Sequence, residues 1–237
     1  MMSRHQYEEV MRYIDEFYPK YSDPLDIKEE IDEKRIELGE ANKKKYFNKL
    51  FNGIKEAAQG YHVKDFTDEE FPGLAFKVLL HENQDILDDD RELIEALGGT
   101  KYELEVCVSM ISPFFCMYVN KTDYQKENDV EIWSFSVTHD FPNIAVVERV
   151  KDYLLSQNKK EISLLNALVL VDERDVPYTK EEKATIFDCL FDNMVTIYLL
   201  NRSRKSKHTS EEWSLSWNWD ENIDWDSLRY DPDKAEE

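Results

Sequence analysis

Between Lys101 and Gln157 the apolar residues keep first one period and then another, and no other stretch constrains the fold as tightly. In Tyr102-Glu-Leu-Glu-Val-Cys-Val-Ser-Met110, residues Tyr102, Leu104, Val106, Val108 and Met110 fall on alternate positions. That is the two-residue period of a strand with one buried face. Pro113 interrupts, Phe114 to Val119 forms a second apolar run, and Asn120 to Asp129 reads as a polar turn. Val130 to Thr138 reads as a third strand with Trp133, Phe135 and Val137 on one side. Asp140-Phe-Pro-Asn143 then breaks the strand, and Val146, Val147, Val150, Leu154 and Leu155 follow at helical spacing. A three-stranded meander covered by a helix predicts an α+β fold.

The flanks extend that core. Gly73 to His81 carries Leu74, Phe76, Val78 and Leu80 on one face, as a strand would. Upstream, His5 to Tyr18 reads as a helix with Val10, Tyr13, Ile14 and Phe17 on one side. Ser22-Asp23-Pro24 marks a second start, with Asp23 as cap and Pro24 at the first helical position. This helix runs towards Gln59, with a break expected near Gly39. Lys43-Lys-Lys45 is a solvated helix face. Asp88 to Leu97 reads as a short helix with acids at its start. Ala167 to Val171 fits either a buried strand or a helix tail. Thr179-Lys-Glu-Glu182 has the form of a capping box before the stripe Ile186, Phe187, Leu190, Phe191 and Met194, which points on towards Leu200. The expected architecture is α+β. An antiparallel sheet of four to five strands, near 73–81, 101–111, 114–120 and 130–138, carries helices on one face. One domain spans 1–200, and 1–60 is its helical N-terminal part.

The remaining segment, 201–237, differs in kind. Asn201 to Lys207 holds four bases and no acid, and is expected to act as a hinge; His208 to Glu237 holds ten acids against Arg229 and Lys234. Four of the five tryptophans lie in the acidic part, where a solvated tail normally has none. The alternation in Trp213-Ser-Leu-Ser-Trp-Asn-Trp219 would suit an added strand. Indoles anchor interfaces and carboxylates steer basic partners. Trp213, Trp217, Trp219 and Trp225, with Asp220, Glu221 and Asp224, are therefore the partner-binding candidates.

Catalytic chemistry has little support. His81-Glu82 and His139-Asp140 end two expected strands, where active-site residues often stand, but no HxH, HExxH or CxxC spacing accompanies them. Asp88-Asp-Asp90 lacks the glycine and the alternating ligands of a calcium loop. Asp172-Glu-Arg-Asp175 follows a candidate strand, as in some nucleases, but reads better as a charged turn. None of the six glycines falls in a phosphate-loop context and no GxSxG elbow is present. Cys107, Cys116 and Cys189 are too scattered for a disulfide framework or zinc site and fit buried thiols. The expectation is no cofactor, no metal and no catalytic residue.

Charge then bears on partners. The chain of 237 residues has 51 acids against 30 bases, a net charge of −21. Such a balance opposes direct binding to nucleic acid or to an anionic membrane, and favours a basic protein. A polar start and short apolar runs predict neither leader nor membrane span, and so a cytoplasmic protein.

Two segments, Glu131-Ile-Trp-Ser-Phe-Ser-Val137 leading into its helix and Ala184-Thr-Ile-Phe-Asp-Cys-Leu-Phe191, set in an acidic α+β chain, give it a resemblance to the immunity proteins of bacterial polymorphic-toxin systems. The resemblance implies a small cytosolic protein that caps a basic toxin without catalysis. Two alternatives carry their own geometric requirements. A metal-dependent hydrolase or nuclease-like enzyme requires His81, Glu82, His139 and Asp140 to converge. A DNA mimic from a mobile element requires carboxylates spaced like phosphates along an elongated face.

Overall fold

The computed structural model describes residues 2–85, 90–128, 130–179, 182–192, 206–209 and 223–232, with the backbone alone at 90 and 206–209. The chain opens with α1 (Arg4–Phe17), whose N-cap Ser3 accepts a hydrogen bond from the Gln6 N–H. Val10, Ile14 and Phe17 are the buried residues of this helix. Helix α2 (Leu25–Ala57) runs for 33 residues without a break, about 50 Å at 1.5 Å per residue. The interruption expected at Gly39 is absent, because this glycine is buried where the helix passes the Pro72 backbone. Asp23 does not cap α2 either; its carboxylate accepts from the Lys20 N–H, and Pro24 holds the N-cap position with no side-chain bond.

The sheet begins with β1 (Val63–Asp65), β2 (Gly73–Leu79) and β3 (Thr100–Ser109), with α3 (Asp90–Ala96) between the last two. It continues through β4 (Phe114–Glu127) and β5 (Val130–Thr138). After α4 (Ile144–Ser156) come β6 (Lys160–Glu161), α5 (Leu164–Ala167) and α6 (Ile186–Leu190), then β7 (Ser206–Thr209) and a 3-10 turn, Trp225–Leu228. The order across the sheet is β1-β2-β3-β4-β5-β7, each pair antiparallel, while β6 adds a short parallel pairing to β4. The fold is α+β with a mixed sheet and an N-terminal helical segment. No helix among the described residues is long and apolar enough to cross a membrane.

Helices cover both faces of the sheet, not one. Alternate residues of β3 explain why. Leu104, Val106 and Val108 point to a cluster with Leu50, Ile54 and Ala58 at the C-terminal end of α2 and Val146, Val150 and Leu154 of α4. Cys107, on the other face, joins Phe114 and Cys116 in a second cluster with α1, α5 and α6. Burial raises all three thiols above their ordinary range, so they remain protonated core groups.

Three further expectations change, and one open choice closes. The polar stretch from Asn120 is strand, not turn: β4 continues to Glu127 because Asn120, Thr122 and Tyr124 pair with Val137, Phe135 and Trp133 of β5. Ala167 to Val171 is a helix tail followed by an isolated bridge, Leu170 to Thr185. The capping box falls at Thr185 and Asp188, which bond each other's backbone N–H. The one expected at Thr179 fails because Glu182 has φ +59°, outside the helical region. Finally, Ser206 and Lys207 of the expected hinge lie in β7, paired to Phe135 and Ser134.

Candidate functional site

The histidines expected to mark a reactive centre are held apart in the sheet order, since β3 and β4 stand between β2, which precedes His81, and β5, which precedes His139. His81 Nε2 accepts a hydrogen bond from the Tyr102 N–H at 3.1 Å, and burial lowers its pKa, so the ring serves as a neutral backbone acceptor. Glu82, His139 and Asp140 are exposed. The Asp140 N–H donates to Thr138 Oγ1 in a local turn. No group of three or more His, Cys, Asp or Glu side chains among the described residues could hold a metal.

The charged run 172–175 ties elements together. Arg174 pairs with Asp15 of α1, Asp175 with Lys28 of α2 at 2.8 Å, Glu173 with Lys20 at 3.7 Å and Asp172 with Arg229. Of the partner-binding candidates, Trp213, Trp217, Trp219, Asp220 and Glu221 lie outside the described residues. Trp225 is half-buried against the α1–α5–α6 cluster, beside buried Ile223, with Lys183 Nζ 5.0 Å from its ring centroid. Asp224 caps the turn that holds this indole, accepting from the Ser227 N–H. Trp225 thus finds an apolar surface within the chain itself.

A different surface stands out once the fold is known. Helix α2 is segregated by charge. Between Leu25 and Glu40 it has seven acids and three bases; between Ala41 and Ala57 it has five lysines and one acid. In the acidic half every base is taken: Lys28 by Asp175 at 2.8 Å, Lys34 by Glu16 at 2.9 Å, and Arg35 by Asp32 at 2.6 Å. Glu29, Glu30, Glu33, Glu37 and Glu40 are all exposed and have no ion-pair partner among the described residues. Glu29, Glu33 and Glu37 recur every four residues, so they repel one another on one helix face.

This face borders a cleft of about 440 Å³ between the middle of α2 and the loops at 69–72 and 177–178. Its apolar lining is Ile36, Phe71, Pro72, Pro177 and Tyr178; its carboxylates are Glu40, Glu69 and Glu70. Ile36 is 52% exposed and Tyr178 71%. Tyr178 sits at φ +62°, strained for an aromatic residue, with its ring edge-on to Phe71. The two cations in the lining are occupied elsewhere. Lys43 Nζ donates to the carbonyls of Asp68 and Glu69, and burial lowers its pKa against the pull of Asp68, Glu69 and Glu40. Arg35 is buried, donates to Phe17 O and lies over the Tyr18 ring. The sequence signal for this face was the four-residue spacing of Glu29, Glu33 and Glu37. Nothing in the sequence showed which bases would be consumed by tertiary ion pairs, or that Tyr178 would stand beside Ile36.

Comparison with protein-family models, with curated proteins and with solved structures finds no match to this chain.

Proposed function

We propose that this chain is a non-enzymatic binding protein for a basic protein partner, in the manner of the immunity proteins that neutralise a toxin in the cytoplasm. The unpaired glutamates of α2 carry the reading. Each like-charged pair at four-residue spacing costs an isolated helix about 0.2–0.5 kcal/mol. An arrangement that weakens its own helix and leaves the carboxylates of Glu29, Glu30, Glu33 and Glu37 without bases among the described residues is one that a cationic surface would complete. The adjoining cleft supplies what carboxylates alone lack, an aromatic and aliphatic centre at Tyr178 and Ile36 around which charge forms a rim.

The reading makes stability and binding move in opposite directions. Replacing Glu33 by Lys turns two repulsions, with Glu29 and Glu37, into attractions, and should raise stability by several tenths of a kcal/mol. The same substitution should weaken capture of the partner. The experiment is a pull-down from the source cell with wild type, Glu33→Lys and Tyr178→Ala, washed at low and high salt, followed by binding measurements on the purified partner. A basic protein held by wild type, released by salt and lost from both variants supports the proposal. A partner that is not basic, or one bound equally by all three proteins, defeats it.

A further inference from the structure

Among the described residues the acidic character of the chain has a local exception. Where the basic half of α2 meets the segment after α4, a pocket of about 210 Å³ is lined by Tyr46, Lys49, Leu50, Pro113, Gln157, Asn158 and Lys159. Two lysines and no acid line it, in a chain with 51 acids against 30 bases. We propose that this pocket binds a small phosphate-bearing anion, with Lys49 and Lys159 as its cationic ligands and Tyr46 and Asn158 as neutral donors.

Four observations carry the assignment. Lys159 is half-buried, and its Nζ donates to Ser109 O at 3.0 Å and Ser112 O at 3.4 Å, with no carboxylate in ion-pair reach among the described residues. Two carbonyls satisfy its N–H groups in part and leave its charge uncompensated, which a low-dielectric site penalises. Lys49 has no partner for its ammonium among the described residues, nor has Tyr46 for its hydroxyl or Asn158 for its side chain. Three carbonyls at the end of α4 are already engaged and do not compete for these charges. Tyr153 O and Leu155 O accept from the N–H groups of Gln157 and Asn158, and Leu154 O accepts from those of Gln157 and Lys159. The volume lies below the roughly 300 Å³ at which drug-sized sites begin, which selects a small ligand.

Leu50 and Pro113 supply the apolar part of the lining. Binding here is independent of the acidic half of α2, at the other end of the same helix.

The test uses the full chain and inorganic phosphate as probe, with sodium chloride at matched ionic strength, because any salt relieves the self-repulsion of so acidic a protein. Amide NMR shifts and thermal midpoints are followed for wild type, Lys49→Ala, Lys159→Arg and Lys44→Ala. Lys49 and Lys44 are both exposed, so these two variants lose the same charge at little risk to folding. Phosphate should raise the midpoint beyond chloride in wild type and Lys44→Ala, and shift the amides of 157–159. Lys49→Ala should bind phosphate about tenfold more weakly, the loss expected of one charged hydrogen bond. Lys159→Arg, which keeps the charge, should still bind. Equal responses of Lys49→Ala and Lys44→Ala, or of phosphate and chloride, overturn the proposal. Acetate acting as strongly as phosphate would assign the pocket to carboxylates and overturn the phosphate assignment.

Discussion

Gly53 stands on α2 where Tyr153 of α4 crosses it. A Cβ at this position would lie 2.0 Å from the Tyr153 ring, whose hydroxyl donates to Lys49 O at 2.8 Å. Gly53→Ala should therefore destabilise the protein by about 1–3 kcal/mol through overpacking. In urea unfolding, adding Tyr153→Ala should restore part of that loss, since the two sites share one clash. Simple addition of the two losses would refute the close approach. Lys159 gives a pH signature. Burial pushes its pKa down to about 8 from an ordinary 10.5. Between these values the unfolded chain binds more protons than the folded one, so stability rises with pH across that window, and below it the full cost of burying the charge is present. Tyr46 and Lys49 are the other titratable groups of the pocket. Relative to Lys159→Met, wild type should gain stability from pH 8 to 10, measured as a difference in unfolding free energy. A flat difference would show that the two serine carbonyls hold the charge without penalty.

At the scale of elements, α6 is short and depends on its cap. Thr185 Oγ1 donates to Asp188 Oδ2 at 2.8 Å, and the Thr185 N–H donates to the same oxygen at 2.7 Å, all of it buried. Thr185→Ala should cost about 1–2 kcal/mol, whereas Thr185→Ser should be nearly neutral; thermal unfolding separates the two. This element also shows where the sequence was legible. The apolar periods of α1, β2, β3 and α4 were readable because each sets its apolar residues into a core cluster; in β5 the alternation is carried by Trp133, whose ring packs against Tyr124 and stacks with Phe135. Two Thr-x-x-acid patterns precede α6, and local sequence cannot choose between them. The choice is made by the backbone at Glu182, which turns to positive φ. The far half of β4 was hidden for a related reason. The side-chain Nδ2 of Asn120 there donates to Glu105, itself paired with Lys77, so a polar residue on this face of the sheet is held by a strand neighbour and looks like loop in one dimension. The acidic face of α2 was hidden because its meaning lies in which bases are consumed by Asp175, Glu16 and Asp32.

At the scale of the whole molecule, charge is distributed against the grain of the total, with an acidic and a basic region on one long helix. Both surfaces rest on α2, which buries Leu50, Gly53 and Ile54 in its second half and little but Arg35 and Gly39 in its first. The other molecule-wide feature is the return of residues 223–232 to the start of the chain. Tyr230 stacks on Tyr7 with ring centroids 3.8 Å apart, Arg229 pairs with Asp172, and Leu228 O accepts from the Leu170 N–H at 2.9 Å. Removing residues 223–237 should lower the thermal midpoint, because Ile223, Trp225 and Leu228 leave the α1 cluster; an unchanged midpoint would contradict their packing. The same contacts impose an order in time. Tyr7 and Tyr230 are more than two hundred positions apart in the chain, so their meeting closes a very long loop, whose entropy cost is lowest once the chain between them has collapsed. What docks last detaches first. The Leu170 amide, whose acceptor belongs to the returning segment, should exchange its proton for deuterium long before the amides of β3 and β4, and at a rate that reports how often the two ends of the chain part company.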